Sequence, residues 1–320
     1  MRSATVTTLL ALTLTIGLMV APSLTVSAET QSFLSVQGTR IVDADNQPIL
    51  LRGVNYAGYG CGGGWRSEWS YSEFARLGLN VVRLPISWER LEPTPGAINW
   101  WYMLDSVNRD VQFAKKYGLY IVLDMHQFNW AKKFGGCGAP GWTVQDYPPT
   151  EAGMRQAISN FWADSNLHDH LVKVWKEIAR TYANEPTIVG YDILNEPWVY
   201  TSVIPDLNAT HVDEFYLKVI KAIREVDPNH IIFLEPANMH SHSFPLKENI
   251  VWSPHFYPLS FESRYFPENV TVLEADLAAK YRKFVVEMGS PMWIGEFGAF
   301  MKYWSSQEWL RDAIQLFNKY

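Results

Sequence analysis

Between Phe33 and Pro48 apolar and polar residues alternate about Gly38, a pattern that predicts a short β-hairpin. Beyond it, short β-branched runs alternate with longer stretches whose apolar residues recur at helical spacing. The short runs predict strands at Ile49–Val54, Val81–Leu84, Tyr120–Asp124, Ile188–Leu194, His230–Leu234, Ile250–Ser253 and Met292–Gly295. The longer stretches predict helices near Tyr71–Leu77, Trp100–Tyr117, Asn166–Tyr182, Ala209–Glu225, Ala275–Met288 and Ser306–Lys319, with Gly118 and Gly289 as helix stops. Strands that alternate with helices imply parallel pairing and an α/β architecture. No Gly-x-Gly-x-x-Gly follows the first strand and no phosphate loop occurs, which disfavours a nucleotide-binding sheet. Polar and aromatic residues instead collect just past the strand ends, where (β/α)8 barrels carry their chemistry. The expected fold is a (β/α)8 TIM barrel preceded by a hairpin, formed by residues 29–320 as one domain. Seven strands are predicted and the last helix reaches Tyr320, so the eighth strand is expected to be missing from this chain and the domain to be C-terminally incomplete.

The N-terminus changes the expected compartment. Arg2 is the only charge before Glu29; an apolar run from Leu9 to Val20 follows, and Val26-Ser27-Ala28 ends the segment. That is the pattern of a secretory signal peptide over residues 1–28, with an uncleaved membrane anchor as the competing reading. The two cysteines, Cys61 and Cys137, lie in separate glycine-rich stretches. In an exported chain they fit a disulfide, though two unrelated small residues fit as well. Hydrophobic residues make up 48% of the chain, enough for a folded core, and the net charge of −6 provides no electrostatic footprint for nucleic acid. Membrane contact is expected only through an uncleaved anchor or a lipid substrate.

Candidate chemistry sits at the strand ends. In order they read Arg83-Leu84-Pro85, Asp124-Met125-His126-Gln127, Asn195-Glu196-Pro197-Trp198, His255-Phe256-Tyr257 and Gly295-Glu296-Phe297-Gly298. Two glutamates thus end the fourth and seventh strands of one barrel, facing each other across its mouth. Facing carboxylates suit glycoside hydrolysis, in which one protonates the leaving oxygen and the other attacks or activates water. Arg83 near Glu296 would keep it ionised, and a drier setting would keep Glu196 protonated. Asn195, Tyr257, His126 and His255 are placed to contact sugar hydroxyls or the carboxylates. Glu235, past the fifth strand, reads as a secondary hydrogen-bonding group. His168 and His170 read as a solvated helix end, and no metal set is complete.

These five motifs, in this order, resemble glycoside hydrolase family 5, and the likeness runs from about Ile49 to the C-terminus. The resemblance implies a retaining (β/α)8 glycosidase that needs no metal or cofactor, with Glu196 as acid/base and Glu296 as nucleophile. Arg83, His126, Asn195, His255 and Tyr257 match its other active-site positions. The family's usual eighth-strand Trp is absent from this sequence. Substrate is expected to be a β-linked glucan, mannan or related glycan. The third loop, His126-Gln127-Phe128 and then Gly136-Cys137-Gly138-Ala139-Pro140-Gly141-Trp142, is similar to the endoglycoceramidase-like branch, whose aglycone is a lipid. An apolar aglycone would employ loop aromatics such as Trp65, Trp69, Trp130, Trp142, Trp198 and Tyr200. A binding barrel that no longer cleaves is the alternative from another class.

Overall fold

A computed structural model describes residues 31–58, 61, 64–197, 209–236, 244–262 and 264–320. The predicted signal segment, Trp198 and Tyr200 lie outside them. The N-terminal hairpin pairs β1 (Ser35–Gln37) with β2 (Arg40–Val42), and Gly38 turns between them at φ 61°. Six strands then follow in a parallel sheet whose spatial order is the chain order. They are β3 (Gly53–Asn55), β4 (Val81–Ile86), β5 (Tyr120–Met125), β6 (Ile188–Asp192), β7 (Ile231–Leu234) and β8 (Ile250–Trp252). Every residue of β4, β6, β7 and β8 is buried, as expected of parallel strands covered on both faces.

The covering helices are α1 (Glu68–Arg76), α2 (Trp88–Leu91), α3 (Asn108–Lys116), α4 (Gly141–Val144), α5 (Glu151–Ala163), α6 (Ser165–Tyr182), α7 (Ala209–Arg224), α8 (Val270–Tyr281) and α9 (Ser306–Phe317). Helix α6 shows why they form. Leu171, Val174, Trp175, Ile178, Ala179 and Tyr182 recur three or four apart, so one stripe faces the sheet. Asp164 begins it by accepting the Asn166 amide. Inside the sheet, Val81, Val122, Val189, Ile231, Phe233 and Val251 form a second core with Leu34, Ile41 and Leu51 from the hairpin region. The hairpin therefore plugs one end of the barrel, and Asn249 anchors it by accepting the Val36 amide at 3.0 Å. The other end is left for chemistry.

Three expectations are corrected. The first strand begins at Gly53, because ahead of it the Arg52 amide and the Leu50 carbonyl are taken by the Asn80 side chain and Ile49 bonds Ile41 of the hairpin; Gly53 itself lies so close to β4 that a Cβ would meet the Val81 carbonyl oxygen at 1.9 Å. Helix α5 was not foreseen, since Gly153, Ser159 and Asn160 dilute its apolar period, although Thr150 caps it and accepts the Gly153 amide. The seventh predicted strand, Met292–Gly295, is reduced to bridges at Met292 and Phe297. Pro254 opposite has no N–H, so the ladder between Trp252 and Phe256 loses a donor. The segment still runs parallel to β8, with the Phe256 amide bound to the Glu296 carbonyl at 2.8 Å. Among the described residues no helix is long and apolar enough to cross a membrane.

Candidate active site

Arg83, in the middle of β4, is the hub of the open end. It is completely buried, and its fork reaches groups from five other segments. Nε donates to Asp192 Oδ2 at 2.9 Å, and Nη1 lies 2.7 Å from Glu296 Oε1 and 2.9 Å from Asp124 Oδ2. Nη2 donates to Asn195 Oδ1 and to Glu235 Oε1, each at 3.0 Å. Asn55, ending β3, adds an acceptor to Nη1 at 3.3 Å and donates to the Gly295 carbonyl at 3.1 Å. A rigid, always charged fork is the side chain that can hold so many acceptors in fixed directions.

Around this hub the two glutamates converge. One oxygen each from Glu196 and Glu296, together with a ring nitrogen of His255, lie within 4.8 Å of one another. His255 Nδ1 contacts Glu196 Oε1 at 2.9 Å and stands 3.6 Å from Glu296 Oε2. Tyr257 donates its hydroxyl to Glu296 Oε2 at 3.0 Å. His126 Nδ1 is paired with Asp124 Oδ2 at 2.6 Å. Both glutamate side chains keep a window to solvent, 22% exposed for Glu196 and 15% for Glu296. Asn195 is locked from below: its Nδ2 donates to the Gln127 carbonyl at 3.0 Å, and Gln127 Nε2 returns a bond to the Asn195 carbonyl at 2.9 Å.

The electrostatics separate these groups. Burial pushes the Glu296 carboxyl up, but His255, Arg83, His126 and the Tyr257 hydroxyl outweigh it and bring its pKa down to about 2. Burial lowers His255, yet Glu235, Glu196 and Glu296 raise it to about 10, so the ring is cationic at neutral pH. His126 is raised too, burial being overcome by Asp124. The proton on Tyr257 is held far above its usual range by burial and by Glu296, which keeps it a donor. Among the described residues two triplets of ligand-type atoms exist, Asp124–His126–Glu296 and Glu196–His255–Glu296. Arg83 and His255 already supply positive charge to both, so we read them as charge networks.

Stability follows with opposite signs at the two ends of the pH scale. The Glu296 contribution is complete above its unfolded value of 4.5 and is lost as pH falls through about 2. That of His255 is complete below 6.5 and is lost as pH rises through about 10. Both are therefore intact between pH 4.5 and 6.5. Thermal melts across pH should show the stability gap between wild type and Glu296→Gln closing below that window. The gap to His255→Asn should close above it. Gaps that stay constant with pH would contradict the assignment.

The remaining sequence candidates divide. Cys61 and Cys137 form a disulfide, Cα atoms 5.4 Å apart, which ties the segment after β3 to the His126 loop. Trp130 is corrected: it is 2% exposed, packed on Phe161 at 4.8 Å, and presents no face to a substrate. Trp142 is half-buried, its Nε1 bound to the Glu92 carbonyl and its ring between Trp88 and His170, so it packs the loop. His168 is also corrected, being buried among Phe161, Trp162 and Phe215 rather than solvated. Asp192 and Asn55 were missed. A charged residue ending the apolar run Ile188-Val189-Gly190-Tyr191 was the available signal for Asp192. A row of rings leaves the site from Tyr257, and its outer members, Phe261 and Phe300, were not singled out by the sequence. Tyr257 stacks on Phe261 at 5.3 Å, and Phe261 meets Phe300 at 5.2 Å; these outer rings are 56% and 50% exposed.

With this geometry in hand, the comparisons fix the class. The description Cellulase (glycosyl hydrolase family 5) matches residues 42–319, and the chain belongs to that family. It is 28% identical to a β-xylosidase of Phanerodontia chrysosporium, over 83% of this chain and 62% of that protein. It is also 28% identical to endoglycoceramidase I of Rhodococcus hoagii, over 63% of this chain and 46% of that one. The chain thus spans about half to two thirds of the length of these relatives. A crystal structure of an endogalactoceramidase superposes with a TM-score of 0.73 at 28% identity, covering 90% of this chain and 72% of the other. The α/β barrel expected from the strand pattern is the fold of these neighbours.

Proposed function

We propose that this protein is a retaining β-glycosidase. The observation that carries this reading is that one carboxylate oxygen each from Glu196 and Glu296 lie within 4.8 Å of each other at the open end of the sheet, with His255 Nδ1 between them. Closely placed carboxylates favour direct attack on the sugar, whereas inversion seats a water between carboxyls about 6.5–9.5 Å apart. Glu296, held ionised, attacks the anomeric carbon as the glycosidic C–O bond breaks. Glu196 gives its proton to the departing oxygen. The covalent glycosyl ester is then hydrolysed by a water that Glu196 deprotonates, and Glu296 leaves as carboxylate. Tyr257 and Arg83, both on the Glu296 carboxylate, fix the attacking oxygen and stabilise it again when the ester opens.

A β-linked glucan, mannan or related glycan is the primary substrate reading. The exposed row Tyr257–Phe261–Phe300 favours a second, a glycolipid-type β-glycoside whose apolar aglycone lies on those rings. The Cys61–Cys137 bridge and the N-terminal pattern of residues 1–28 support export as the setting. One panel tests both readings: β-glucans, β-mannans and β-glycosides of long-chain alcohols and ceramide, with the first-formed anomer followed by NMR. A β-anomer appearing first is expected. An α-anomer first would overturn the retaining mechanism, and turnover confined to polymers would remove the glycolipid reading.

A further inference from the structure

Glu235 is a third carboxylate at the mouth, fully buried, and the two-glutamate mechanism gives it no step. Its contacts single it out. Oε2 accepts the backbone N–H of Glu196 at 2.8 Å. Oε1 takes Arg83 Nη2 at 3.0 Å and makes an ion contact with His255 Nε2, also at 3.0 Å but without hydrogen-bond geometry. The Glu235 backbone is itself held, its carbonyl accepting the Tyr216 hydroxyl from α7 at 2.9 Å.

Glu196 needs such a support. Its φ is 49°, in the left-handed region that a residue with a Cβ rarely adopts, so something around it must impose that conformation. The preceding residue, Asn195, is fastened by Arg83 and Gln127, and Pro197 follows. At the Glu196 peptide itself the amide is anchored by Glu235. The same carboxylate faces His255, whose other nitrogen contacts the Glu196 side chain. Glu235 therefore grips the acid/base from two sides, by its backbone directly and by its carboxylate through the imidazole.

We propose that Glu235 is the positioning residue of the acid/base: it sets the direction from which Glu196 delivers its proton, and it touches no substrate atom. The inference rests on the glycosidase reading above. It differs from a general structural role in one measurable way. If Glu235 acts through Glu196, its loss matters in proportion to how much the leaving oxygen needs a proton. General acid assistance contributes on the order of 10²–10⁴-fold for a poor leaving group and little for a good one.

The test compares Glu235→Gln and Glu235→Ala with wild type on two β-glycosides of one sugar, bearing an alkyl or a dinitrophenyl leaving group. The glycosylation step is read as kcat/KM. In Glu235→Gln the amide keeps an oxygen for the Glu196 N–H while an NH₂ now faces Arg83 and His255; in Glu235→Ala all three contacts go. For either variant that remains folded by circular dichroism, the alkyl glycoside is expected to lose about 10²-fold or more. The dinitrophenyl glycoside is expected to lose less than about tenfold. Equal losses on both substrates, or no loss on either, would overturn the assignment. If wild type itself fails to turn over either glycoside, the glycosidase reading fails instead, so the two failures are told apart.

Discussion

Glu296→Gln should lower kcat/KM on any accepted β-glycoside by at least about 10⁴-fold, roughly 5.5 kcal/mol of transition-state stabilisation, because no other group can form the covalent ester. The isosteric amide keeps the volume and can still meet the Tyr257 hydroxyl, and Arg83 retains Asp124, Asp192 and Glu235. The barrel should therefore remain folded at 25 °C by circular dichroism. Truncation to Glu296→Ala opens space for a small anion. Added azide should then attack the anomeric carbon from the vacated side and restore turnover, releasing a glycosyl azide of inverted configuration. Azide applied to Glu196→Ala should give the retained azide, since Glu296 still forms the ester. Exchange of these two stereochemical outcomes would reverse the roles of the glutamates, and full activity in Glu296→Gln would remove the mechanism.

Arg83→Met should be the most damaging single change to stability. The guanidinium contacts four carboxylates within 3.0 Å, those of Asp124, Asp192, Glu235 and Glu296, and three of them have no exposed side-chain surface. Its removal leaves these buried carboxylates facing one another with only His255 and His126 to offset them, although burial already pushes Asp192 and Glu235 toward the neutral form. Breaking one buried pair costs about 3–5 kcal/mol, against a total stability of about 5–15 kcal/mol for a domain. The variant should yield little soluble protein, and what folds should unfold at markedly lower urea. Arg83→Lys should recover part of the loss, since it restores the charge but not the fork that bonds Asp192 and Asn195 together. A urea midpoint for Arg83→Met equal to wild type would show that the network shares its charge differently.

Much of the molecule was legible along the chain. The alternation of β-branched runs with amphipathic stretches is local, and five predicted strands coincide with β4 to β8 within two residues at each end. Errors came where a neighbour intervened: the Asn80 side chain takes the backbone groups of Leu50 and Arg52, so β3 starts late, and Pro254 thins the pairing of Met292–Gly295. The pairing of Glu196 with Glu296 was legible for a related reason. In a parallel barrel all strand ends emerge on one face, so a position at the end of a strand is already a position at the mouth. Burial of loop aromatics was not legible. Trp130 and Trp142 have the composition of a sugar groove, and only the side chains packed over them, Phe161 and Trp88, show that Trp130 is core and that Trp142 packs against it.

By itself, then, the sequence determined most of the order of strands and helices, the family, and most of the residues that stand at the open end of the barrel, because these depend on periodicity and short motifs. Tertiary structure alone decided how those residues act on one another. Arg83 and Glu296 are 213 positions apart and 2.7 Å apart in space, and the low carboxyl pKa at Glu296 comes, against burial, from His255 first and then from Arg83 and His126. The grip of Glu235 on the strained Glu196 peptide is likewise invisible in one dimension. Coulomb and hydrogen-bond energies fall steeply with separation and with water between the groups. Identity and spacing in the chain can nominate a charged residue, but only its folded neighbours and its burial set its protonation and its aim.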